Sequence, residues 1–553
     1  MFRFEKIIQL NRKNFIQLTG ASFASLLMPR FVNAKDTTAT VIQMPDEVKI
    51  FSGDNYFSLQ SSDKQKWIYR DIVVSVKPTE DAVTISVYSP SLALKEIQLS
   101  WKIPAIKNAL VVGDAWERTY GDISWQNINP SKKLPWYCVE HDENNTVCFG
   151  VKTGCSTICY WRVADNNLQL NLDTRTGGSG VRLGDRTLNA AEIVTTKNQG
   201  NENAFATIRR FCKQMCSAPR TIAQPVYGIN DWYFAYGNNS ADLIFQHTSL
   251  LAPLATNTSN KPFSVIDMGW ATGTDHTKPN TKFGDMKNVS DKIKQLGMRP
   301  GLWTRPLWAT GNENKKLLSP GFVNDNKDDG LTLDPTIEEN IEHIKNMIGL
   351  YKQWGFEMVK HDYTTFDIYS KWGFEMNDKM TEAGWQFNDN SKTNAEIILH
   401  LYQAIREAAG DMYLIGCNTI SHLSAGLFEL NRIGDDTSGK DWARTKKMGV
   451  NTMGFRMVQH KTFYEADGDC VGLTTAVPWE KNKQWMQLLA QSSAPLFISA
   501  QPEAVGGEQR QFIKQCFDAA SKPQPIGEPL DWLTNPFPSK WKLDDELVMF
   551  SWD

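Results

Sequence analysis

The sequence lacks an excess of charge of either sign. It has 59 Lys and Arg against 62 Asp and Glu, which leaves a net charge of −3 over 553 residues. Nucleic acids and anionic membranes attract proteins mainly through an excess of positive charge, so neither is an expected partner. Beyond the N-terminus, no stretch reaches the ~18 consecutive apolar residues that a membrane-spanning helix needs. We therefore expect no membrane span once the N-terminal segment described below is removed.

Signatures of several enzyme classes are also missing. No glycine-rich loop suited to phosphate follows the first strand of the α/β region, and no histidine cluster has the spacing of a zinc site. Ser, His and Asp do not occur in the order of a hydrolase triad. The nine cysteines are an odd number, so at least one stays free or pairs between chains. The sequence thus predicts no metal and no cofactor, and it disfavours a metal-dependent hydrolase.

Residues 1–34 resemble a secretion signal. A positively charged region precedes the apolar run FIQLTGASFASLLM, and the small-residue sequence VNA follows it. The run is too short to span a bilayer comfortably, so we expect cleavage and export to the periplasm or the extracellular space. The motif NRK leans toward a twin-arginine signal but has a lysine in place of the second arginine. A retained membrane anchor or a core helix is the alternative.

The rest of the chain is long enough for two or three domains. Between residues 35 and 200, short runs such as DIVVSVKP and AVTISVYS alternate apolar and polar residues between turn sequences. This pattern predicts an N-terminal β-sandwich. Residues 201–225 predict a helix and a linker. Residues 521–553 predict a short C-terminal β segment, whose abrupt end leaves open whether its sheet is complete.

Residues 226–520 alternate strands with amphipathic helices. The eight strand candidates are VYGINDWY, FSVIDMGW, RPGLWTRP, FEMVKHDY, MYLIGCNT, LNRIGDD, FYEADGDC and APLFISAQ. Helical patterns such as TIEENIEHIKNMIGLYKQWG separate most of them. Eight such units over this length predict a central (β/α)8 TIM barrel. The seventh unit is the least regular, and a doubly wound sheet is the alternative, although its glycine-rich loop is missing.

Polar and aromatic residues stand where these strands end, which is where a TIM barrel builds its active site. The candidates are Asp267, Trp270, Trp303, Lys360, Asp362, Cys417, Arg432 and Asp436. A retaining glycosidase needs two carboxyl groups ~5–5.5 Å apart, and aromatic rings pack against the apolar face of a sugar. The set therefore favours a glycosidase. Trp303 and Cys417 could equally be core residues.

The motifs VIDMGW, RPGLW, FEMVKHDY, IGCNT, RIGDDTS and EADGDC follow one another in this order. Their order and spacing resemble the α-galactosidases of glycoside hydrolase family 36, whose clan includes family 27. The resemblance implies an enzyme that removes terminal α-D-galactosides from oligosaccharides or glycosides by a double displacement. It also implies Asp362 as the nucleophile, Asp436 as the acid/base, and Arg432 and Cys417 beside the substrate.

Two of these roles leave alternatives open. Lys360 lies two residues before Asp362, hence on the same side of the strand, and would keep Asp362 ionised, bind a sugar hydroxyl or form a structural ion pair. Asp435 is the alternative acid to Asp436. The charges of Asp435 and Asp362 are expected to raise the pKa of Asp436 by repulsion.

One departure from the family pattern concerns the sugar. The family usually has two aspartates before Gly-Trp, which bind the O4 and O6 hydroxyls, whereas this sequence has Asp267 and Met268. A thioether cannot accept hydrogen bonds from two hydroxyls as a carboxylate does. The alternatives are therefore an α-N-acetylgalactosaminide or a β-L-arabinopyranoside as substrate, or a non-catalytic carbohydrate-binding protein. The sequence leaves an oligomer open.

Overall fold

The structure, a computed structural model, describes residues 42, 44–63, 65–103, 106, 108–309 and 331–553. The predicted signal peptide lies outside the described residues. The N-terminal strands are β1 (Glu47–Ser52), β2 (Asn55–Ser58), β3 (Gln60–Ser61), β4 (Lys66–Tyr69), β5 (Ile72–Pro78), β6 (Val83–Tyr88), β7 (Glu96–Trp101), β8 (Leu110–Gly113), β9 (Gln126–Asn127), β10 (Leu134–Pro135), β11 (Tyr137–His141), β12 (Thr146–Val151), β13 (Ile158–Ala164), β14 (Asn167–Asp173), β15 (Arg175–Thr176), β16 (Ser179–Gly180) and β17 (Thr187–Lys197).

These strands form two large antiparallel sheets. One has the order β10-β13-β14-β7-β1-β2, the other the order β3-β4-β5-β6-β17-β12-β11-β8-β9, and β15 pairs with β16 separately. In β1, β5 and β6 buried residues alternate with more exposed ones. Because successive side chains of a strand point to opposite faces, each sheet has one apolar face to bury. The region is thus the predicted β-sandwich.

Helix α1 (Ala204–Met215) follows the sandwich, where the sequence predicts a helix. The side chain of Asn203 caps its first turn by accepting from the backbone N–H of Ala206 (2.9 Å). Its buried face includes Phe205, Ile208 and Phe211. This face covers apolar residues of the sandwich core, as a helix with one apolar stripe must.

A second group of strands builds a parallel sheet. Its strands and the short hairpins in its loops are β18 (Tyr227–Asn230), β19 (Phe263–Ile266), β20 (Ala271–Thr272), β21 (Asp275–Pro279), β22 (Arg299–Thr304), β23 (Trp308–Ala309), β24 (Leu331–Thr332), β25 (Met358–His361), β26 (Tyr413–Gly416), β27 (Leu430–Arg432), β28 (Glu465–Asp467), β29 (Cys470–Leu473) and β30 (Leu496–Ala500). The parallel order is β28-β27-β26-β25-β22-β19-β18-β30-β29. All eight strand candidates contain strands of this sheet.

The seventh strand is interrupted, which explains its irregular sequence. Its first part, β28, pairs with β27, and its second part, β29, pairs with β30. Between them Asp469 adopts a φ of 74°, a left-handed conformation that breaks the strand. Because β30 also pairs with β18, the parallel pairing continues around the ring. The sheet thus has the arrangement of the predicted TIM barrel rather than of a doubly wound sheet.

Helices lie between the barrel strands. They are α2 (Trp232–Ala235), α3 (Ala241–Leu251), α4 (Met286–Gln295), α5 (Glu338–Gln353), α6 (Thr364–Tyr369), α7 (Asn394–Ala409), α8 (Ser421–Ser424), α9 (Trp442–Thr445), α10 (Asn451–Arg456), α11 (Trp479–Gln491) and α12 (Gly507–Ala520). Among the described residues, none of the helices combines the length and the apolar character needed to cross a bilayer.

The last described residues form a small antiparallel sheet of β31 (Glu528–Pro529), β32 (Lys540–Leu543) and β33 (Glu546–Met549). Trp541 of this sheet is fully buried. The indole N–H of Trp442 donates to the carbonyl of Trp552 (2.8 Å). These contacts pack the C-terminal residues against the outside of the barrel. The predicted domain boundaries remain predictions.

Candidate active site

Asp362 follows β25 directly, at the carboxyl end of the strand. Its backbone N–H donates to the carbonyl of Thr304 on the neighbouring strand (3.0 Å). Its Oδ1 accepts from the backbone N–H groups of Tyr363 (2.7 Å) and Asn418 (3.1 Å). Its Oδ2 accepts from the indole N–H of Trp303 (3.0 Å). Both carboxylate oxygens are thus acceptors, and three donors fix the orientation of the group.

The chain turns sharply after Asp362. Tyr363 has a φ of 66°, which is uncommon for a residue other than glycine. Helix α6 begins at the next residue, Thr364. This turn ends the strand and aims the N–H of Tyr363 back at the carboxylate, and such strained backbone is typical of functional sites.

Asp436 lies in the loop after β27 and faces two arginines. Its Oδ1 is 3.3 Å from Nη2 of Arg432 and 3.7 Å from Nη1 of Arg118. Its side chain remains 35% exposed, so a ligand can reach it. Burial by itself would raise the pKa of Asp436, but Arg432 and Arg118, followed by Lys360 and Arg444, hold this pKa below its usual value. The expected rise of this pKa is therefore wrong, because the nearby cations outweigh the effect of burial.

Asp435, the alternative acid, is enclosed by ion pairs. Its Oδ1 lies 2.7 Å from Nη2 of Arg118, and its Oδ2 lies 2.7 Å from Nη2 of Arg444. Its side chain is 13% exposed. The carboxylate of Asp435 is therefore less available to a ligand than that of Asp436.

Tyr363 and Cys417 connect the surroundings of the two candidate carboxylates. Burial and then repulsion from Asp362, with a further contribution from Asp436, raise the pKa of the Tyr363 phenol. The sulfur of Cys417 accepts from Nη1 of Arg432 (3.5 Å), and burial raises the pKa of its thiol. Arg432 thus contacts both Asp436 (3.3 Å) and Cys417, and the residue after Cys417, Asn418, donates its backbone N–H to Asp362.

Lys360 binds Asp267 rather than Asp362. Its Nζ lies 2.7 Å from Oδ2 of Asp267, and the side-chain amide of Asn230 donates to the same oxygen (2.8 Å). Burial lowers the pKa of Lys360, but Asp267 outweighs this effect and leaves the pKa raised. Of the roles that the sequence leaves open for Lys360, the structural ion pair is the one whose contact the structure shows.

A second buried carboxyl group supports Asp267. Oδ1 of Asp231 accepts from the backbone N–H of Asp267 (2.7 Å), and its Oδ2 accepts from the side-chain amide of Asn239 (2.7 Å). Burial, together with repulsion from Asp267, raises the pKa of Asp231 to about 7. Met268 is half-buried beside this pair, and its N–H donates to Oδ1 of Asp267 (2.9 Å). An apolar side chain thus stands next to a tightly held carboxylate.

The two candidate tryptophans have different positions. Trp303 is almost fully buried and holds the carboxylate of Asp362. Trp270 is completely buried, and its indole N–H donates to the carbonyl of Trp303 (2.9 Å). Its ring packs against Tyr351 and Trp354. Trp270 has no exposed surface and supports Trp303 from behind, and its role in substrate binding stays a prediction.

Two residues from the sandwich were missed by the sequence analysis. Glu117 and Arg118 lie between β8 and β9 and reach the mouth of the barrel. Glu117 accepts hydrogen bonds from the side-chain amide of Asn418, the hydroxyl of Tyr120 and the backbone N–H of Gly373 (3.0 Å for the last). Burial raises the pKa of Glu117 to about 7.

Backbone contacts dock this loop on the barrel. The N–H of Thr119 donates to the carbonyl of Ile433 (2.9 Å), and the N–H of Asp435 donates to the carbonyl of Thr119 (2.8 Å). At the crossing, a Cβ on Gly434 would come within 2.3 Å of the carbonyl oxygen of Met448. Glycine is therefore required here. Neither segment carries a motif that indicates the other, so the sequence gives no signal for this contact.

In the part of the chain that the structure describes, no three His, Cys, Asp or Glu residues form a group that could hold a metal ion. All nine cysteines are buried and free. The Cys212–Cys216 pair on α1 is part of the core, as apolar packing requires.

Solved structures with the same architecture are α-galactosidases. TtGalA from Thermus thermophilus, in complex with p-nitrophenyl α-D-galactopyranoside, has a TM-score of 0.59 at 15% identity and covers 91% of this chain and 99% of its own. The family 36 enzyme AgaA from Geobacillus stearothermophilus has a TM-score of 0.56 at 12% identity, over 86% of this chain and 72% of its own. Neither a protein-family model nor a curated protein matches the sequence. This chain is therefore similar in fold to α-galactosidases of glycoside hydrolase family 36.

Proposed function

We propose that this protein is a retaining exo-glycosidase that hydrolyses terminal α-D-galactosides. The observation that carries the proposal is the placement of Asp362, whose carboxylate is fixed by three donors at the mouth of a barrel with the fold of known α-galactosidases. Asp436 supplies a second, partly exposed carboxyl group, and its partner Arg432 also contacts Cys417, which is followed by Asn418, a donor to Asp362. Two carboxyl groups are the minimum that such hydrolysis needs.

The proposed reaction is a double displacement. Asp362 attacks the anomeric carbon and forms a glycosyl ester, while Asp436 gives its proton to the leaving oxygen as the glycosidic C–O bond breaks. Water then attacks the same carbon, Asp436 takes a proton from this water, and the ester bond to Asp362 breaks. Two inversions leave the product with the configuration of the substrate. The donors on Asp362 hold the nucleophile so that little orientational freedom is lost during attack.

The identity of the sugar is argued from a structural neighbour and from Met268. The neighbour TtGalA was solved with a nitrophenyl α-galactoside and with stachyose, which supports galactose here. The second candidate is the same reaction on an α-N-acetylgalactosaminide or a β-L-arabinopyranoside. The thioether of Met268 offers no strong acceptor to a sugar hydroxyl, and this favours the β-L-arabinopyranoside, which lacks the C6 hydroxymethyl group of galactose.

A panel of nitrophenyl glycosides tests the proposal. We expect wild-type protein to release nitrophenol from the α-galactoside, Asp362→Ala to lose this activity, and proton NMR to show the α-anomer of galactose as the first product. A β-anomer as the first product would contradict the retaining mechanism. Release of nitrophenol from another glycoside would change the proposed substrate and leave the proposed mechanism unchanged. Sugar binding without any turnover would favour the carbohydrate-binding protein.

Export is proposed as well, on the evidence of residues 1–34. Their charged and apolar segments have the order of a secretion signal. Expression of the full chain in a Gram-negative host, followed by fractionation and N-terminal sequencing, tests this point. We expect a mature chain that begins after Ala34, outside the cytoplasm. An uncleaved chain in the membrane fraction would favour the anchor.

A further inference from the structure

One loop of the β-sandwich reaches the surroundings of both carboxylates. Its residue Glu117 accepts a hydrogen bond from the side-chain amide of Asn418. The backbone N–H of the same Asn418 donates to Asp362 (3.1 Å). Glu117 is fully buried, so this chain of contacts is shielded from water. The sandwich residue Glu117 thereby fixes Asn418, which in turn donates to the proposed nucleophile, Asp362.

The next residue, Arg118, reaches the proposed acid/base. Its Nη2 is 2.7 Å from Asp435 and its Nη1 is 3.7 Å from Asp436. Its guanidinium lies over the rings of Tyr120 (5.8 Å) and Trp372 (5.5 Å). Arg118 is 6% exposed, so its charge acts in a region of low effective dielectric constant, where it is poorly screened.

We propose that Glu117 and Arg118 are positioning residues for the catalytic pair: Glu117 orients Asp362 through Asn418, and Arg118 sets the charge state of Asp436. This inference rests on the proposed function, because it assigns roles within that reaction. It makes the β-sandwich part of the active site.

The effect of Arg118 on Asp436 has a definite sign. The charged groups near Asp436 are Arg432 from β27, Arg118 from the sandwich, Lys360 from β25, Arg444 from α9, Asp435 beside it, and Asp469, which pairs with Arg432. Loss of Arg118 removes one cation from Asp436 and also leaves the charge of Asp435 less compensated. Both changes raise the pKa of Asp436.

The pH dependence of kcat/KM on an α-galactoside with a poor leaving group measures this effect. The basic limb reports the loss of the proton from the acid/base of the free enzyme. In Arg118→Met, we expect this limb to move to higher pH by about one unit, since a neighbouring opposite charge lowers a carboxyl pKa by roughly one to three units. Arg118→Lys keeps the charge and should leave the limb within about 0.3 units of wild type while lowering kcat.

A variant on the barrel side changes the charge at the other end of the Arg118–Asp435 ion pair. Asp435→Asn removes a negative charge beside Asp436, so the basic limb should move to lower pH. This variant decides the question if Arg118→Met does not fold, as judged from circular dichroism and the thermal midpoint. The proposal for Arg118 would be overturned if every variant that folds had reduced activity but the same basic limb as wild type. Such a result would show that Arg118 has a structural role.

Glu117→Gln tests the other half of the proposal. The amide replaces one acceptor oxygen by a donor, so the hydrogen bond from Asn418 weakens while the volume of the side chain stays the same. We expect a roughly tenfold lower kcat, because misorientation of the nucleophile affects the transition state, with KM and the basic limb unchanged. A rise in KM alone would overturn this role. If the wild-type protein hydrolyses no glycoside, the proposed function fails together with this inference. If the wild-type protein is active and the variants change neither kcat nor the basic limb, only this inference fails.

Discussion

The indole N–H of Trp303 donates to Oδ2 of Asp362 over 3.0 Å, between neighbouring strands of the barrel. The parallel register fixes this relationship, because Trp303 on β22 pairs with Lys360 on β25. A hydrogen bond to a charged group contributes ~1.5–3 kcal/mol. We therefore expect Trp303→Phe, which keeps an aromatic ring and removes the donor, to lower kcat/KM by about 10- to 100-fold.

Trp541→Phe is the matched control for Trp303→Phe. Trp541 is also fully buried and donates its indole N–H to a backbone carbonyl, that of Pro538 (2.9 Å), but it lies in the C-terminal sheet. The control should lower the thermal midpoint without changing kcat/KM. Equal losses of activity in both variants would show that buried indole bonds matter here through stability alone.

The lowered pKa of Asp436 predicts a pH dependence that varies with the leaving group. The first step needs protonated Asp436, and the protonated fraction falls as pH rises through its pKa. A lowered pKa places this loss at more acidic pH than an ordinary aspartate would. We expect kcat/KM for methyl α-galactoside to decline from acidic pH upward. Nitrophenolate leaves without a proton, so its galactoside should keep its kcat/KM to higher pH.

Both substrates begin with attack by the same carboxylate, that of Asp362. Initial rates on both, measured across the same buffer series, check the prediction. If the two basic limbs coincide, the limb does not report proton donation to the leaving oxygen, and the role of Asp436 as the acid would have to be given up.

The buried ion pair between Lys360 and Asp267 predicts a large stability effect. Both side chains are at most 10% exposed, and loss of one partner from such a pair costs ~3–5 kcal/mol because the other charge stays buried. We expect Lys360→Met to lower the free energy of unfolding by about this amount. The control, Lys287→Met, breaks an exposed pair with Asp291 (2.7 Å) and should cost less than ~1 kcal/mol. Urea titrations that give equal losses would contradict a buried, desolvated pair.

The barrel was predictable from local pattern, whereas the contacts of its mouth were only partly so. The alternation of strand and helix patterns locates the eight strands. Asp362 is identified as a candidate because an apolar strand is followed directly by charged residues. The burial of Trp270 was not predictable, because a tryptophan at a strand end can face the mouth or the helices outside. Glu117 and Arg118 were missed because they arrive from another part of the chain through backbone contacts that have no sequence pattern.

The error about the pKa of Asp436 has the same origin. From the sequence, its nearest visible neighbour was Asp435, and two adjacent carboxylates suggest repulsion. In the structure, Arg432 lowers this pKa most and Arg118 adds to its effect, while Arg118 and Arg444 neutralise Asp435. Arg118 belongs to the sandwich and could not be placed beside the barrel from spacing. The sign of a pKa shift therefore required the three-dimensional arrangement of the charges.

Met268 offers the sharpest test of the sugar. An aspartate at this position would supply the second carboxylate that the resemblance to family 36 implies for binding galactose hydroxyls. Each hydrogen bond to such a charged group contributes ~1.5–3 kcal/mol. If the substrate is an α-galactoside, Met268→Asp should raise kcat/KM on it by about tenfold or more. It should also lower the thermal midpoint, because the new charge joins Asp267 and Asp231, whose pKa is already raised to about 7.

Met268→Leu separates the loss of the thioether from the gain of a carboxylate. Both variants and wild type are compared on α-galactoside, α-N-acetylgalactosaminide and β-L-arabinopyranoside. A gain confined to Met268→Asp on the α-galactoside would mean that the native site binds galactose with one acceptor fewer than the family resemblance implies. A loss on another sugar, with no gain on the α-galactoside, would mean that the apolar side chain contacts the native substrate directly, and the galactoside assignment would have to be given up.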